Sequence, residues 1–245
     1  MARILKEENY PNGSLKSRET KLHGQPGKRV ILKEAWYPSQ MNPAAQQRDG
    51  QQKYKYNYVD GLFHGLQEYW YPNGQQEYKH NYVSAQFHGL QEYWYPDGQQ
   101  EYKQNYVNGQ YHGVQEWWYE NGRRRFKKNY VNGQKHGLQE GWYENGQQAY
   151  KWNYVNGKEH GVQEEWYEDG QREHKENYAN DKKHGIQEHW NDGGQLENRE
   201  YYLDGIEVSQ ETYQSYIERL IPYIQATTDF EERGLSRIIA GYLLP

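Results

Sequence analysis

Six histidines recur at His64, His88, His112, His136, His160 and His184, each followed by glycine. Six glutamates follow four residues behind them, at Glu68, Glu92, Glu116, Glu140, Glu164 and Glu188. Imidazoles could bind a transition metal and carboxylates could do acid–base work. The spacing argues against both. It is a constant 24 residues, and a constant period of that size marks a repeat architecture. With two strands per period, equivalent residues stand about 9.5 Å apart, two strand spacings. Metal ligands must come within ~2.2 Å of one ion, so neighbours in one column cannot share it. An active site needs a distinct constellation in one pocket, whereas a residue repeated along a row belongs to the framework. The expectation is therefore no catalytic residue, no metal ligand and no cofactor. His-Gly reads as a tight turn with a capping imidazole. The Glu column pairs with Lys55, Lys79, Lys103, Lys127, Lys151 and Lys175 or with neighbouring hydroxyls, in exposed pairs worth little each. No P-loop, dinucleotide-binding, nucleophile-elbow or zincin motif occurs.

The elements that carry these columns are short strands. Leu66 to Tyr71 is aromatic-rich and stops at Pro72-Asn73-Gly74, where proline presets φ and glycine takes a positive one. A second strand, Gln75 to Val83, ends in later copies at Asn108-Gly109, Asn132-Gly133 and Asn156-Gly157, which are hairpin signals. The pattern predicts a meander of antiparallel hairpins. On the first strand Leu66, Glu68 and Trp70 share a face, and on the second Tyr78 and Tyr82 do. A three-residue loop sets Trp70 opposite Gln76 and Glu68 opposite Tyr78, which gathers Leu, Trp, Tyr and Tyr on one face. A bulge would shift this by one residue and swap the faces.

Composition agrees with a thin sheet. Mean hydropathy is -1.39, yet 16% of residues are aromatic, with 27 Tyr and 9 Trp. Rings then supply most of the buried area. Net charge is -5, which gives no global footprint for nucleic acid. There is no cysteine, so disulfides and thiolate sites are excluded. No signal peptide and no membrane-spanning apolar run is read, and the expected location is the cytoplasm.

Three segments follow. Residues 1–47 are degenerate repeats with an insert: Tyr10-Pro-Asn-Gly13 copies the turn, His23-Gly24 the start, Trp36-Tyr-Pro38 the aromatic strand, and 39–47 break the pattern. Residues 48–205 are the regular repeats. Residues 206–245 form a helical cap or docking tail. There Ser209 caps a helix over Gln210 to Gln225, which Pro222 should kink or shorten. Thr228-Asp-Phe-Glu231 opens a second helix with Phe230, Leu235, Ile238, Ile239 and Leu243 on its apolar side.

Positions that change from copy to copy are the ones open to solvent or a partner. They are Tyr69, Tyr93, Trp117, Gly141, Glu165 and His189, and Tyr56, His80, Gln104, Lys128, Trp152 and Glu176. Candidate partner-binding residues among them are Tyr69, Tyr93, Trp117 and Trp152, with the basic cluster Arg123, Arg124 and Arg125. Aromatics beside basic residues can meet single-stranded nucleic acid or anionic lipid headgroups.

The unit His-Gly-Leu-Gln-Glu-Tyr-Trp-Tyr-Pro-Asn-Gly, followed by Tyr-Val-Asn-Gly-Gln, resembles the variant class of MORN repeats over about Gly50 to Gly205. The resemblance implies a mainly β fold: an elongated, twisted, single-layer antiparallel sheet of hairpins, here closed by a short helical C-terminal cap. Similar repeats occur in bacterial antitoxin-like proteins and in giant viruses of amoebae, and the tail Leu235 to Leu243 is similar to tails of the viral proteins. For a viral protein the location would be host cytoplasm or virion. The implied function is a non-enzymatic scaffold for protein–protein interaction. Alternatives are a peripheral membrane adaptor for anionic phosphoinositides and an antitoxin-like inhibitor of a partner protein.

Overall fold

The computed structural model describes residues 2–11, 13–22, 27–38 and 50–228. His23-Gly24, the insert at 39–47 and the second C-terminal helix lie outside the described residues. The chain forms two compact units, Met1–Arg123 and Arg124–Pro245.

In the first unit the strands Arg3–Asn9, Leu15–Leu22, Val30–Trp36 and Gln52–Val59 pair antiparallel in sequence order. Gly65–Trp70, Gln76–Val83, Gly89–Trp94, Gln100–Val107 and Gly113–Trp118 continue the same meander. The second unit repeats it from Arg124–Val131 through Gly137–Trp142, Gln148–Val155, Gly161–Trp166, Arg172–Ala179 and Gly185–Trp190 to Leu196–Leu203. Each is a single antiparallel layer, as the turn signals predict.

Each copy is built from three local devices. The Pro72-Asn73-Gly74 loop is closed by the Tyr71 N–H to Gln75 O bond at 2.9 Å, with Gly74 at φ 89°. That is the three-residue loop expected, and it does set Trp70 opposite Gln76. The Asn108-Gly109 corner has φ of 50° and 76° and joins Val107 to Gln110, a two-residue loop with both φ positive. The imidazole cap is also present. His88 Nδ1 accepts the Asn108 N–H at 3.4 Å and His136 Nδ1 accepts that of Asn156 at 3.4 Å. These two histidines, with His64 and His184, thus cap the corner of the next copy, where a residue with positive φ needs an acceptor.

One expectation fails. After Trp70↔Gln76 the register shifts, so that Tyr78 faces Tyr69 and Lys79 faces Glu68. Glu77 is the extra residue of a β-bulge, and from there the faces swap. Leu66, Glu68, Trp70, Lys79 and Asn81 share one face; Gln67, Tyr69, Tyr78, His80 and Tyr82 share the other. Leu, Trp and the tyrosines do not form a common core. The Gln76 amide fills the gap at the bulge, donating to Tyr69 O and Tyr78 O at 2.9 Å each.

A second irregularity explains the best-buried side chains. Tyr58 faces Phe63, but Lys55 faces Glu68, so two extra residues, His64-Gly65, bulge out. Gly65 takes φ 78°, which a side chain resists. Across the bulge only the His64 N–H reaches the Asn57 backbone, donating to Asn57 O at 3.0 Å, and Gln67 supplies the remaining pairing. Gln67 Oε1 accepts the Asn57 N–H at 2.8 Å and its Nε2 donates to Asn57 O at 2.9 Å. The same pairing recurs at Gln91, Gln115, Gln139, Gln163 and Gln187. Gln115 and Gln139 are 0% exposed, because an amide reproduces both groups of a peptide unit.

Successive copies are tied by tyrosine. Tyr37, Tyr71 and Tyr95 donate through Oη to the carbonyls of Trp70, Trp94 and Trp118 at 2.9 to 3.0 Å. Tyr10 does the same to Trp36 O at 3.1 Å. Tyr10 also closes its own turn by accepting Gly13 N–H and donating to Ser14 O, so the degenerate N-terminal copy keeps the device.

At the other end the helix Gln210–Thr228 starts on Ser209, whose Oγ accepts the Thr212 N–H at 3.2 Å. It runs on through Pro222 to Thr228, past Gln225, so Pro222 does not shorten it as expected; a proline withdraws one backbone donor. Tyr213 is buried against the ring of Tyr201 at 5.4 Å and lies over Gly185.

Candidate partner-binding surface

The two faces differ in chemistry. One carries the same side chains in each copy. Lys55, Glu68, Lys79, Glu92, Lys103 and Glu116 stand directly opposite one another in turn, a row of alternating sign. In the second unit Lys127, Glu140, Lys151, Glu164, Lys175, Glu188 and Arg199 do so. Lys103 reaches Glu92 at 3.5 Å and Arg172 reaches Glu164 at 3.0 Å. The tryptophans lie beneath cations: Lys79 over Trp94 at 5.8 Å, Lys151 over Trp166 at 5.8 Å, Arg172 over Trp190 at 5.4 Å. Cation stems cover the indoles while the charges reach water.

The other face carries the rings. In the first unit Tyr58, Phe63, Tyr82, Phe87, Tyr106 and Tyr111 run as a ladder with centroids 4.7 to 5.3 Å apart. Beside it Tyr69, Tyr78, Tyr93 and Tyr102 stack at 5.3 to 6.2 Å. His80 stacks on Tyr78 at 4.5 Å and meets Tyr102 Oη at 3.0 Å. Burial among rings lowers its pKa to about 4, so it is neutral at pH 7. Burial likewise raises the Tyr102 phenol to about 12. Burial, then the bond to Tyr78, raises Tyr56 further.

The residues expected to vary all fall on this ring face. Tyr69 and Tyr93 are half-buried rungs rather than open side chains, and Tyr93 donates to Glu77 Oε1 at 2.8 Å. Trp117 is half-buried opposite Tyr102. In the second unit Trp152 stacks on Tyr150 at 3.9 Å and donates to Glu165 Oε1 at 3.0 Å. The basic cluster is divided. Arg123 is exposed in the loop, with its N–H on Asn121 Oδ1 at 3.0 Å. Arg124 lies over Trp142 at 5.6 Å, on the constant face, and Arg125 lies over Phe126 at 4.9 Å.

Sequence reasoning missed two groups. The glutamine column was legible as an uncharged polar letter identical in all six copies, like its partner column Asn57, Asn81, Asn105, Asn129, Asn153 and Asn177. The row Glu165, His174 and His189 was hidden, because its members meet only once the bulge is known: Glu165 faces His174, and His174 faces His189.

Five consecutive segments, 63–84, 87–108, 111–132, 135–156 and 159–180, match the family model for the MORN repeat variant. Residues 63–180 are tandem MORN variant repeats. The matches stop short of the structure, since the MORN hairpin with its bulge also recurs at Val30–Trp36 with Gln52–Val59 and at Gly185–Trp190 with Leu196–Leu203. A comparison with curated proteins found no match. MORN repeats are in general protein- or membrane-interaction modules and a non-catalytic repeat family. Among the described residues no helix is long and apolar enough to cross a membrane.

Proposed function

We propose that this MORN-repeat chain is a non-catalytic scaffold that recognises a protein partner through its ring face. The observation that carries the reading is segregation. Within each unit Lys, Glu, Trp, Asn and Val repeat on one face; Tyr56, Tyr69, His80, Tyr93 and Trp117 lie on the opposite face of the first unit, and Lys128, Gly141 and Trp152 on that of the second. A framework needs the same residue in each copy; recognition needs different ones. Tyrosine and tryptophan offer large, rigid, amphipathic contact area at small entropic cost.

The test is affinity capture with the intact chain against a variant carrying Tyr93→Glu and Trp152→His. Those substitutes already occupy the equivalent columns at Glu165 and His80, and circular dichroism of the variant checks that it folds. Loss of the captured protein is expected. Unchanged capture, or binding only to phosphoinositide vesicles, would sink the reading.

A further inference from the structure

We infer that Glu165, Glu173 and His174 form a site for a divalent transition-metal ion of the zinc class. The ligand atoms of the three lie within 4.8 Å of one another, and all three residues are half-buried on the ring face. His174 Nε2 is 3.6 Å from Glu173 Oε1. Small side-chain rotations close such distances to metal coordination at ~2.0–2.2 Å. The spacing that forbids sharing an ion along one column does not apply, since these residues sit on adjacent strands and at a bulge.

The other copies show what is unusual here. Glu173 is the bulge residue, equivalent to Glu77. Glu77 lies between Tyr69 and Tyr93 and accepts the Tyr93 hydroxyl at 2.8 Å. At the equivalent places Glu173 has Glu165 and His189. The donating phenol of Tyr93 is replaced by His189, Tyr69 by a second carboxylate, Glu165, and the rung Tyr78 by His174. Two carboxylates converge beside an imidazole, an arrangement that repels itself until a cation enters. Trp152 Nε1 holds Glu165 Oε1 at 3.0 Å, and the His189 ring stacks on His174 at 4.4 Å. Both partners orient ligands from behind, as outer contacts do in metal sites. One nitrogen and two oxygen donors without sulfur suit zinc, cobalt, nickel or copper in that ligand class. Three protein ligands leave an open position for water.

The test uses the tag-free full-length chain, stripped with a chelator. Titration with Zn²⁺ by calorimetry, and with Co²⁺ by visible absorption, is expected to show one site per chain with tetrahedral cobalt bands. Zn²⁺ should also raise Tm, because it binds only the folded state. His174→Tyr and Glu173→Ala should weaken binding at least 10-fold each, the scale of a lost ligand or outer contact. Both substitutes occur at equivalent positions, Tyr102 and Ala149, so Tm of the metal-free variants should stay near wild type. Absence of stoichiometric binding, or binding that persists unchanged in His174→Tyr, overturns the assignment.

Discussion

Gln115 takes the place of a missing strand for Asn105. Its Oε1 accepts the Asn105 N–H and its Nε2 donates to Asn105 O, each at 2.8 Å, with the side chain 0% exposed. Removing it strands the Asn105 N–H, a donor worth roughly 1–3 kcal/mol when unsatisfied, while Asn105 O keeps the His112 N–H at 2.9 Å. Gln115→Ala is expected to lower the unfolding free energy by about 2 kcal/mol in a denaturant titration. Gln115→Met fills the volume without the bonds and should recover less than half of that. Full recovery by methionine would mean that packing, not pairing, fixes this column.

Ser84 and Ala85 form a corner that three other copies build with Asn-Gly and two with Asp-Gly, and Ala85 holds φ 62°. A side chain there costs about 1 kcal/mol relative to glycine. Ala85→Gly should therefore stabilise by up to about 1 kcal/mol, against the usual cost of glycine in the unfolded chain. Thermal unfolding measures it, and a lower Tm would contradict the strain.

His80 predicts a pH dependence. Its pKa is about 4 folded against 6.5 ordinarily, because burial disfavours the charged ring. Above pH 6.5 it is neutral in both states and contributes no slope. As pH falls from 6.5 towards 4 only the unfolded chain takes up the proton, so stability drops. The drop is on the order of 1–2 kcal/mol, reduced from the full shift because the ring is half-buried. His80→Gln, the residue found at the equivalent Gln104, should flatten the profile over that window.

Gly141 is needed for a ring. A Cβ built there would stand 2.1 Å from Tyr150 Cε1, so any side chain forces Tyr150 off its stack on Trp152. Gly141→Ala should cost about 1–3 kcal/mol by overpacking. Combining it with Tyr150→Leu should cost less than the two single changes together, a coupling read in a double-mutant cycle.

The framework was largely legible in the sequence. Pro72-Asn73-Gly74, Asn108-Gly109, the imidazole cap and Ser209 each declare themselves by local chemistry, and the structure forms them as expected. The faces were not legible, for one reason. The bulge falls on Glu77, which takes no glycine or proline to mark it, and a one-residue shift moves Tyr78 from the tryptophan face to the ring face. With the register goes what depends on facing residues on the ring side, the partners of Tyr69, Tyr93 and Trp152 and the cluster at His174, whereas the pairing of the Glu and Lys columns was read from their repetition and is present.

The central claim is that recognition uses the ring face and not the constant one. Oxidative footprinting tests it directly, comparing the intact chain in an extract of its source cells with the chain in buffer. Protection is expected at Tyr93, Trp117 and Trp152, with Trp94 and Trp166 unchanged. Protection confined to Trp94 and Trp166, or no protection at either set, would contradict it.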